Sequence, residues 1–450
     1  MSVLENKLQP LKLKVISPVT SNVENVTQKS DLIAPIPKPR PTLNIIPQQN
    51  LTEIQNANRS FLMFDGTIKN IEDLKVGDEL MGDDSKPSKI LKIEQVTEET
   101  YIVEPVKGDK YVTSKSQMLS LYYSANPNIS WETKEKMYRV EWLDRDTLKV
   151  KSKVFSLSKY KEENEELAKL SAKSEAEIFR SKIITVKNID VSLSNYLKIG
   201  NKNKRLFKGY KTQIIYPDQE FEIDPYILGY WLGDGDSGGP GITTADEEVL
   251  EYFTQYFKKF HLVVKESGLY HYNITSGTDM GGYGRNSFLN FLKSWKLIGN
   301  KHIPLAFLQS SRQNRLRLLA GLLDSDGHLA KNGSNCYDFI QKRENLLDNV
   351  ITLCRSLGFS CYKTECEKTC TNSKNGPVTG TYFRTCISGE GLEEIPVMLE
   401  RKKATARQHI KNALVTGIEL KSMGIFPNYK IFTDTPRFLM SDFTVRHTCL

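Results

Sequence analysis

Residues 318–328 read LLAGLLDSDGH, and residues 226–236 read YILGYWLGDGD. Aligned, Gly321 falls on Gly229, Ser325 on Gly233, Asp326 on Asp234 and Gly327 on Gly235. Downstream of each segment the same elements come in the same order. An apolar-periodic stretch appears first, EEVLEYFTQYFKKF at 247–260 and ENLLDNVITLCRSLG at 344–358. A strand-like run comes next, LYHYNITS at 269–276 and TYFRTCIS at 381–388. Each copy closes on a basic site, Lys301 in NKHIP and the pair Lys402 and Lys403 in ERKKATAR. A repeat of this length predicts two copies of one α/β unit facing each other across a pseudo-twofold axis.

The two motif segments make physical sense as a helix pair. Gly229 and Gly233, like Gly321 and Ser325, are spaced i, i+4 and put small residues on one helix face. Such a strip lets two backbones approach closely, a purely steric effect. Gly235 and Gly327 then suit left-handed caps at the helix ends. The arrangement brings Asp234 and Asp326 together at two helix C-termini, where dipole and mutual repulsion both disfavour negative charge. A divalent cation removes the conflict, and oxygen ligands suit Mg²⁺, with Mn²⁺ as a substitute. Two carboxylates with metal on a twofold axis fit two scissile phosphates on antiparallel strands. Ordinary helix ends in a core would explain one such segment but not the same unusual combination twice.

Other motif readings fail on detail. GDGDSGGPG at 233–241 lacks the Gly-Lys-Ser/Thr ending of a phosphate loop and the Rossmann spacing. The run from Asp324 to Gly327 is too short for a calcium loop and has no closing glutamate. No Ser/His/Asp order stands out among six histidines.

The rest of the chain frames this repeat. With 450 residues it is too long for one core and fits two or three domains. No apolar run approaches the ~20 residues of a membrane span, so no membrane partner is expected. A formal charge of +8 suits a polyanion. Seven cysteines, none before Cys336, argue for reduced thiols, with the nucleus as the expected compartment, or the cytosol outside eukaryotes. Cys361, Cys366 and Cys370 do not have the C-x₂-C spacing of a zinc site. Residues 1–58 hold 7 of the 18 prolines and read as a disordered leader. From Ser60 short β-type runs take over, broken at the turn signals Asp65-Gly66 and Gly77-Asp78. Helix formers dominate 159–180. Lys198, Lys202, Lys204, Arg205, Lys208 and Lys211 then gather with no acidic residue among them, interleaved with Tyr196, Phe207 and Tyr210. Such a stretch is a candidate phosphate-binding surface or else a solvated loop.

The paired motif resembles the signature of the LAGLIDADG (dodecapeptide) homing endonucleases, and LLAGLLDSDG is a near-complete match. SFLMFDGTIKNIEDLKVGDELMG at 60–82 and YKIFTDTPRFLMSDFTVRHT at 429–448 resemble the first and last blocks of the Hint fold of inteins. The resemblance implies an α+β multidomain protein, with an all-β Hint domain plus a pseudo-twofold αββαββα endonuclease domain. The expected boundaries are a leader at 1–58, a first Hint part at 59–220 carrying a DNA-binding insert at about 120–213, the endonuclease at 221–414 and a closing Hint part at 415–450. It also implies that Asp234 and Asp326, with the backbone of Gly235 and Gly327 beside them, hold the catalytic metals. Lys301 and one of Lys402 and Lys403 would activate water or stabilise the transferring phosphate. The partner would be double-stranded DNA with a long asymmetric target, bound by a monomer.

The departures concern splicing. Splicing in that family needs a Cys or Ser at the first intein position, a histidine in the second block and a terminal His-Asn. The start position falls near Ile54, and no cysteine is there. Gln117 in YVTSKSQMLSL stands where the imidazole is expected. His447 and Cys449 survive, but Thr448 replaces the cyclising asparagine, so the last step has no nucleophile. The expectation is therefore a site-specific double-strand endonuclease on a Hint scaffold that no longer splices. The alternatives are a self-splicing or autoprocessing protein, and a sequence-specific DNA-binding protein that does not cut.

Overall fold

The computed structural model describes Thr52, Ala57 and residues 59–449, apart from 145–146, 162–163, 278–284, 331–334, 371–376 and 407–411. Apart from Thr52 and Ala57, the expected leader lies outside the described residues, as does the start position near Ile54.

Two 19-residue strands, Pro87–Pro105 and Val415–Thr433, join the two ends of the Hint sequence into one sheet. They pair antiparallel from Ile418 opposite Pro105 to Thr433 opposite Ile90. The register slips between Ser422 and Gly424, and Gly424 has φ +92°, a backbone state that favours glycine at such a bulge. The same sheet takes in Phe207–Tyr210, Met118–Tyr123 and Asn188–Ser192. The chain leaves this sheet at Lys211 and returns beside it, the Lys211 N–H donating to the Leu414 carbonyl at 2.8 Å.

Between Met118–Tyr123 and Asn188–Ser192 lies a subdomain with its own core. Strands Asn128–Glu132, Met137–Leu143 and Val150–Ser156 form a meander, covered by helix α1 (Glu165–Ser181). Asn164 caps α1, its side chain accepting from the Leu167 N–H at 2.8 Å. Ala168, Ala172 and Ala176, spaced i, i+4, i+8, press against Val140, Phe155 and Leu157. The insertion expected at about 120–213 is therefore narrower. Residues 188–192 and 207–210 rejoin the main sheet by antiparallel pairing with 118–123.

The domain expected at 221–414 has one core shared by two halves. In the first half, α2 (Pro225–Asp234), α3 (Glu247–Lys258) and α4 (Ser287–Ser294) surround a sheet ordered Ile242–Thr243, His271–Thr275, Val263–Gly268. Gly235 adds a bridge to Ile242. In the second, α5 (Arg312–Asp326) and α6 (Glu344–Ser356) pack on a sheet ordered Gly327–Leu329, Tyr337–Gln341, Val378–Ile387, Thr364–Cys370. The strand order is the same in both halves, and the first runs αββαββα. The second ends instead in the 3₁₀ turn Leu392–Glu394.

Helices α2 and α5 touch backbone to backbone. A Cβ added at Gly229 would lie 2.1 Å from the Leu318 carbonyl oxygen, and one at Gly321 would lie 2.1 Å from that of Tyr226. Only glycine fits at either crossing point. The small-residue strip thus acts as the spacing predicts. The expected left-handed caps do not form, because Gly235 has φ −83° and Gly327 φ −82°, both leading into strands. Their glycine requirement is steric. A Cβ at Gly235 would meet the Trp231 carbonyl oxygen at 2.4 Å, and one at Gly327 that of Leu323 at 2.7 Å.

Candidate active site

The crossing of α2 and α5 carries Asp234 and Asp326 as the last residue of each helix. Both carboxylates are shifted toward protonation. Burial is the main cause for Asp326, followed by the charge of Asp234, and together they push it up to about 6. Burial likewise raises Asp234, against the pull of Lys402 and Lys301. The Gln341 amide donates to Asp326 Oδ2 at 3.0 Å.

Each helix end is closed by a lysine from the far end of its own half. Lys301 Nζ donates to the Gly235 carbonyl at 2.5 Å and the Gly233 carbonyl at 3.2 Å. Lys402 Nζ donates to the carbonyls of Leu323, Asp324 and Ser325 at 2.9, 2.7 and 3.1 Å. Ammonium groups here satisfy orphan carbonyls and offset the negative helix end. Burial, with help from Arg343, lowers Lys301 to about 8, and burial lowers Lys402 as well. Lys403 instead turns outward to Glu400, its Nζ 2.6 Å from the carboxylate. Of the pair, Lys402 is the one at the helix end.

Gly235 O is engaged by Lys301, while Gly327 pairs with Phe339 in the sheet. Among the described residues no cluster of three or more His, Cys, Asp or Glu could hold a metal ion. A metal at Asp234 and Asp326 would take its remaining oxygens from substrate and water.

Several contributors were not among the residues expected from the sequence. Asp324 is buried and accepts from Tyr226 Oη at 2.9 Å, the Met398 N–H at 2.6 Å and the Leu399 N–H at 3.4 Å. It therefore anchors the segment that brings in Lys402. Its place two residues before Asp326, on the helix's inner face, was the available signal. Asp246 and Arg343 are the N-cap residues of α3 and α6 and occupy equivalent positions in the two halves. Asp246 takes two bonds from Arg401 at 2.7 and 2.8 Å, and Arg343 reaches Ser237 Oγ at 2.8 Å. Nothing in a single chain's pattern marks either pairing.

The basic stretch divides. Lys198, Lys202 and Arg205 are exposed, and Lys204 and Lys208 are half-buried. Lys204 Nζ lies 5.7 Å from the Tyr196 ring centroid. Lys211 does not belong with them. It is buried, its Nζ bound to the Asp442 carboxylate and, at 2.7 Å, to the Asp442 carbonyl. Tyr196, Phe207 and Tyr210 are buried too, so the interleaved aromatics serve the Hint core rather than an outer surface.

The positions that the resemblance aligns with splicing residues converge. Gln117, His447 and Cys449 line one cavity of about 40 Å³, room for roughly a single water. The Gln117 amide points at Cys449 Sγ at 3.3 Å, while its carbonyl accepts from Thr113 Oγ1 and the Ser114 N–H at 3.0 and 2.8 Å. His447 Nδ1 lies 2.6 Å from the Thr448 carbonyl oxygen. Thr448 Oγ1 accepts from the Thr433 N–H at 2.7 Å.

Comparison with known proteins agrees with this division. Residues 56–207 match the family described as the Hint domain associated with homing endonucleases, and residues 302–399 match the homing endonuclease family. Replicative DNA helicase DnaB of Mycobacterium intracellulare is 35% identical over 145 residues, 32% of this chain and 21% of that protein. The homothallic switching endonuclease of Saccharomyces cerevisiae is 27% identical over 219 residues, 39% of this chain and 37% of that protein. The chain thus spans about a fifth and just over a third of these two relatives. Solved structures of the homing endonuclease I-DmoI also align. One in complex with DNA and Ca has 15% identity, covers 37% of this chain and 82% of that one, and has a TM-score of 0.25. One with DNA and Mn has 16% identity, covers 37% and 88%, and has a TM-score of 0.23. Residues 56–207 thus carry a Hint domain of the kind associated with homing endonucleases, and residues 302–399 a homing endonuclease domain.

Proposed function

We propose that the chain cuts both strands of a DNA duplex at a specific site by metal-dependent hydrolysis, with Asp234 and Asp326 as metal ligands and Mg²⁺ as the natural ion. The observation that carries this reading is the meeting of two half-buried carboxylates at the ends of touching helices, each end closed by a lysine. Protonated, the pair costs little, but ionised, each destabilises the other, and a bound dication reverses that balance. The donor set fits, since both groups are oxygen ligands and open positions remain for phosphate and water. When bound, the metal would polarise the scissile phosphate and lower the pKa of an attacking water.

The chain's own groups divide the remaining work. Asp234 and Asp326 fix the reaction centre on two rigid helices. Lys301, with its pKa near 8, holds a proton that is exchangeable close to neutral pH, so its Nζ suits proton transfer at the attacking or leaving oxygen. Lys402 supplies positive charge at the other centre. Outer faces of the two sheets would lie along the duplex and read base edges, and Lys198, Lys202, Lys204, Arg205 and Lys208 would meet phosphates beyond it. Gln117 and Thr448 in place of imidazole and asparagine side chains leave the Hint part a scaffold without splicing. A nucleus, or the cytosol outside eukaryotes, is the compartment where such a reduced, DNA-directed protein would work.

The test is cleavage of a genomic library with Mg²⁺, followed by sequencing of the ends. Asp234→Ala and Asp326→Ala should each lower double-strand cutting by on the order of a thousandfold while leaving binding intact. Cutting of both strands at the unsubstituted rate by either variant would sink the assignment.

A further inference from the structure

The two lysines at the helix crossing are held in different ways. Lys301 is 3% exposed, and its Nζ lies 5.0 Å from the centroid of the Trp231 ring. Burial and an aromatic face fix that ammonium group. Lys402 is half-buried, and Leu323, which has no ring, stands where the repeat aligns Trp231. Its place depends on the short segment that carries it. Asp324 ties that segment to α5 by accepting from the Met398 and Leu399 N–H groups, and Tyr337 Oη donates to the Lys402 carbonyl at 2.6 Å. These ties all come from the second half.

The Arg401 side chain crosses to the first half. Its Nη1 and Nη2 donate to Asp246 Oδ1 and Oδ2 at 2.7 and 2.8 Å. Asp246 begins α3, yet its side chain makes no cap bond to that helix. Val249, Phe253 and Phe257 of α3 are buried in the shared core, so the carboxylate stands on a firm anchor. In the other copy Asn300 precedes Lys301, and Arg343 begins α6. Those two cannot form an ion pair, and Arg343 reaches Ser237 Oγ instead.

We propose that Arg401 and Asp246 are positioning residues for the second-half centre, a latch by which the first half sets where Lys402 stands. This rests on the nuclease reading above. A bidentate guanidinium–carboxylate pair fixes direction as well as distance, and Arg401 passes that restraint to the next residue through the turn Glu400–Lys402. The Arg401 side chain is 54% exposed, so the pair adds little to the stability of the fold. Its loss would loosen the turn while the domain stays folded. A small displacement of a charged group from the reacting phosphate slows chemistry steeply. Lys301, set by burial, is indifferent to the latch, so the effect falls on one strand.

The experiment follows single-turnover cutting of each strand by the full chain, on the target found by end sequencing. Asp246→Asn and Arg401→Ala should each slow one strand about tenfold, the strand that Lys402→Met slows, and leave the other within about twofold. The midpoint of thermal unfolding should stay within about 2 °C of the unsubstituted chain. The double variant should be no slower than either single one, because both remove the same contact. A slow Arg401→Ala beside a full-rate Asp246→Asn would make the guanidinium a direct phosphate contact and overturn the latch. Additive losses, equal slowing of both strands or a large fall in the midpoint would overturn it too. If the unsubstituted chain does not cut, the nuclease reading fails. If it cuts and the variants match it on both strands, the latch alone fails.

Discussion

The two halves of the endonuclease domain share a centre and differ in their walls. Each ends a helix on an aspartate, seals that end with a lysine and passes through a glycine into a sheet. Away from the crossing they diverge. Helix α5 has 15 residues against 10 in α2, and the hairpin Thr364–Cys370 with Val378–Ile387 outreaches Val263–Gly268 with His271–Thr275. Asp326 has the Gln341 amide, whereas the equivalent of Gln341 in the first half is Thr244, which bonds back to Asp246. Steric and electrostatic demands at a shared axis hold both copies to one solution. Under the proposed nuclease reading, the outer faces would answer to two different stretches of duplex and be free to drift, and an asymmetric target read by one chain would follow.

That contrast can be broken at the lysines. Lys301→Met and Lys402→Met should each slow cleavage about a hundredfold, measured as single-turnover rates on a defined target. Lys403→Ala, beside Lys402 in sequence but turned to Glu400, should stay within about twofold, and a large loss there would reverse the assignment. If the halves act on separate strands, each lysine variant should accumulate duplex nicked in a different strand. The same strand nicked in both cases would show that the two centres are not divided this way.

Acidity sharpens the comparison. Asp326 has its folded pKa raised to about 6, so cleavage at fixed metal should fall as pH drops through 6, with protons competing for the ligand. A rate unchanged down to pH 5 would exclude that competition. The stability sign is opposite. A carboxyl with a raised folded pKa favours the folded state when protonated, and that advantage fades as pH rises from its unfolded value, near 3.8, through about 6. Asp326→Asn should therefore stabilise the metal-free chain at pH 7 by on the order of 2 kcal/mol while abolishing activity, as read by denaturant unfolding. Excess Mg²⁺ should narrow the gap.

The smallest expected effect is at the Hint surface. Neutralising Lys204 and Arg205 together should weaken binding and reduce the salt slope by about 2, in line with two phosphate contacts. An unchanged slope would leave that stretch as a solvated loop. Lys211→Ala belongs to another class of experiment. It strands the buried Asp442 carboxylate and should cost about 3–5 kcal/mol of stability, without acting through the DNA surface.

The fold was legible in the sequence where the constraint is local and doubled. Four small residues at helical spacing, each pair leading to an aspartate and a glycine, specify a close helix pair however the rest of the chain packs. Legibility fails where distant segments set the environment. Lys211 looks like its basic neighbours, and only the return of Asp442 from the other end of the chain buries it. Tyr196, Phe207 and Tyr210 alternate with lysines in sequence yet face a core assembled from both Hint parts. Lys402 and Lys403 are adjacent and chemically identical, and three carbonyls of α5 decide between them. Gly235 and Gly327 were the expected left-handed caps, but entry into a strand needs an extended backbone, and a side-chain clash supplies the glycine requirement instead.

The hydrogen bond from Lys211 to Leu414 fixes where the nuclease departs from its host sheet and where it comes home. A module whose two attachment points are neighbours can be gained, lost or replaced without moving the strands on either side, since a short turn would bridge the gap. Such a doorway makes the inserted domain a detachable tenant, and the frame around it rests on the pairing of Pro87–Pro105 with Val415–Thr433.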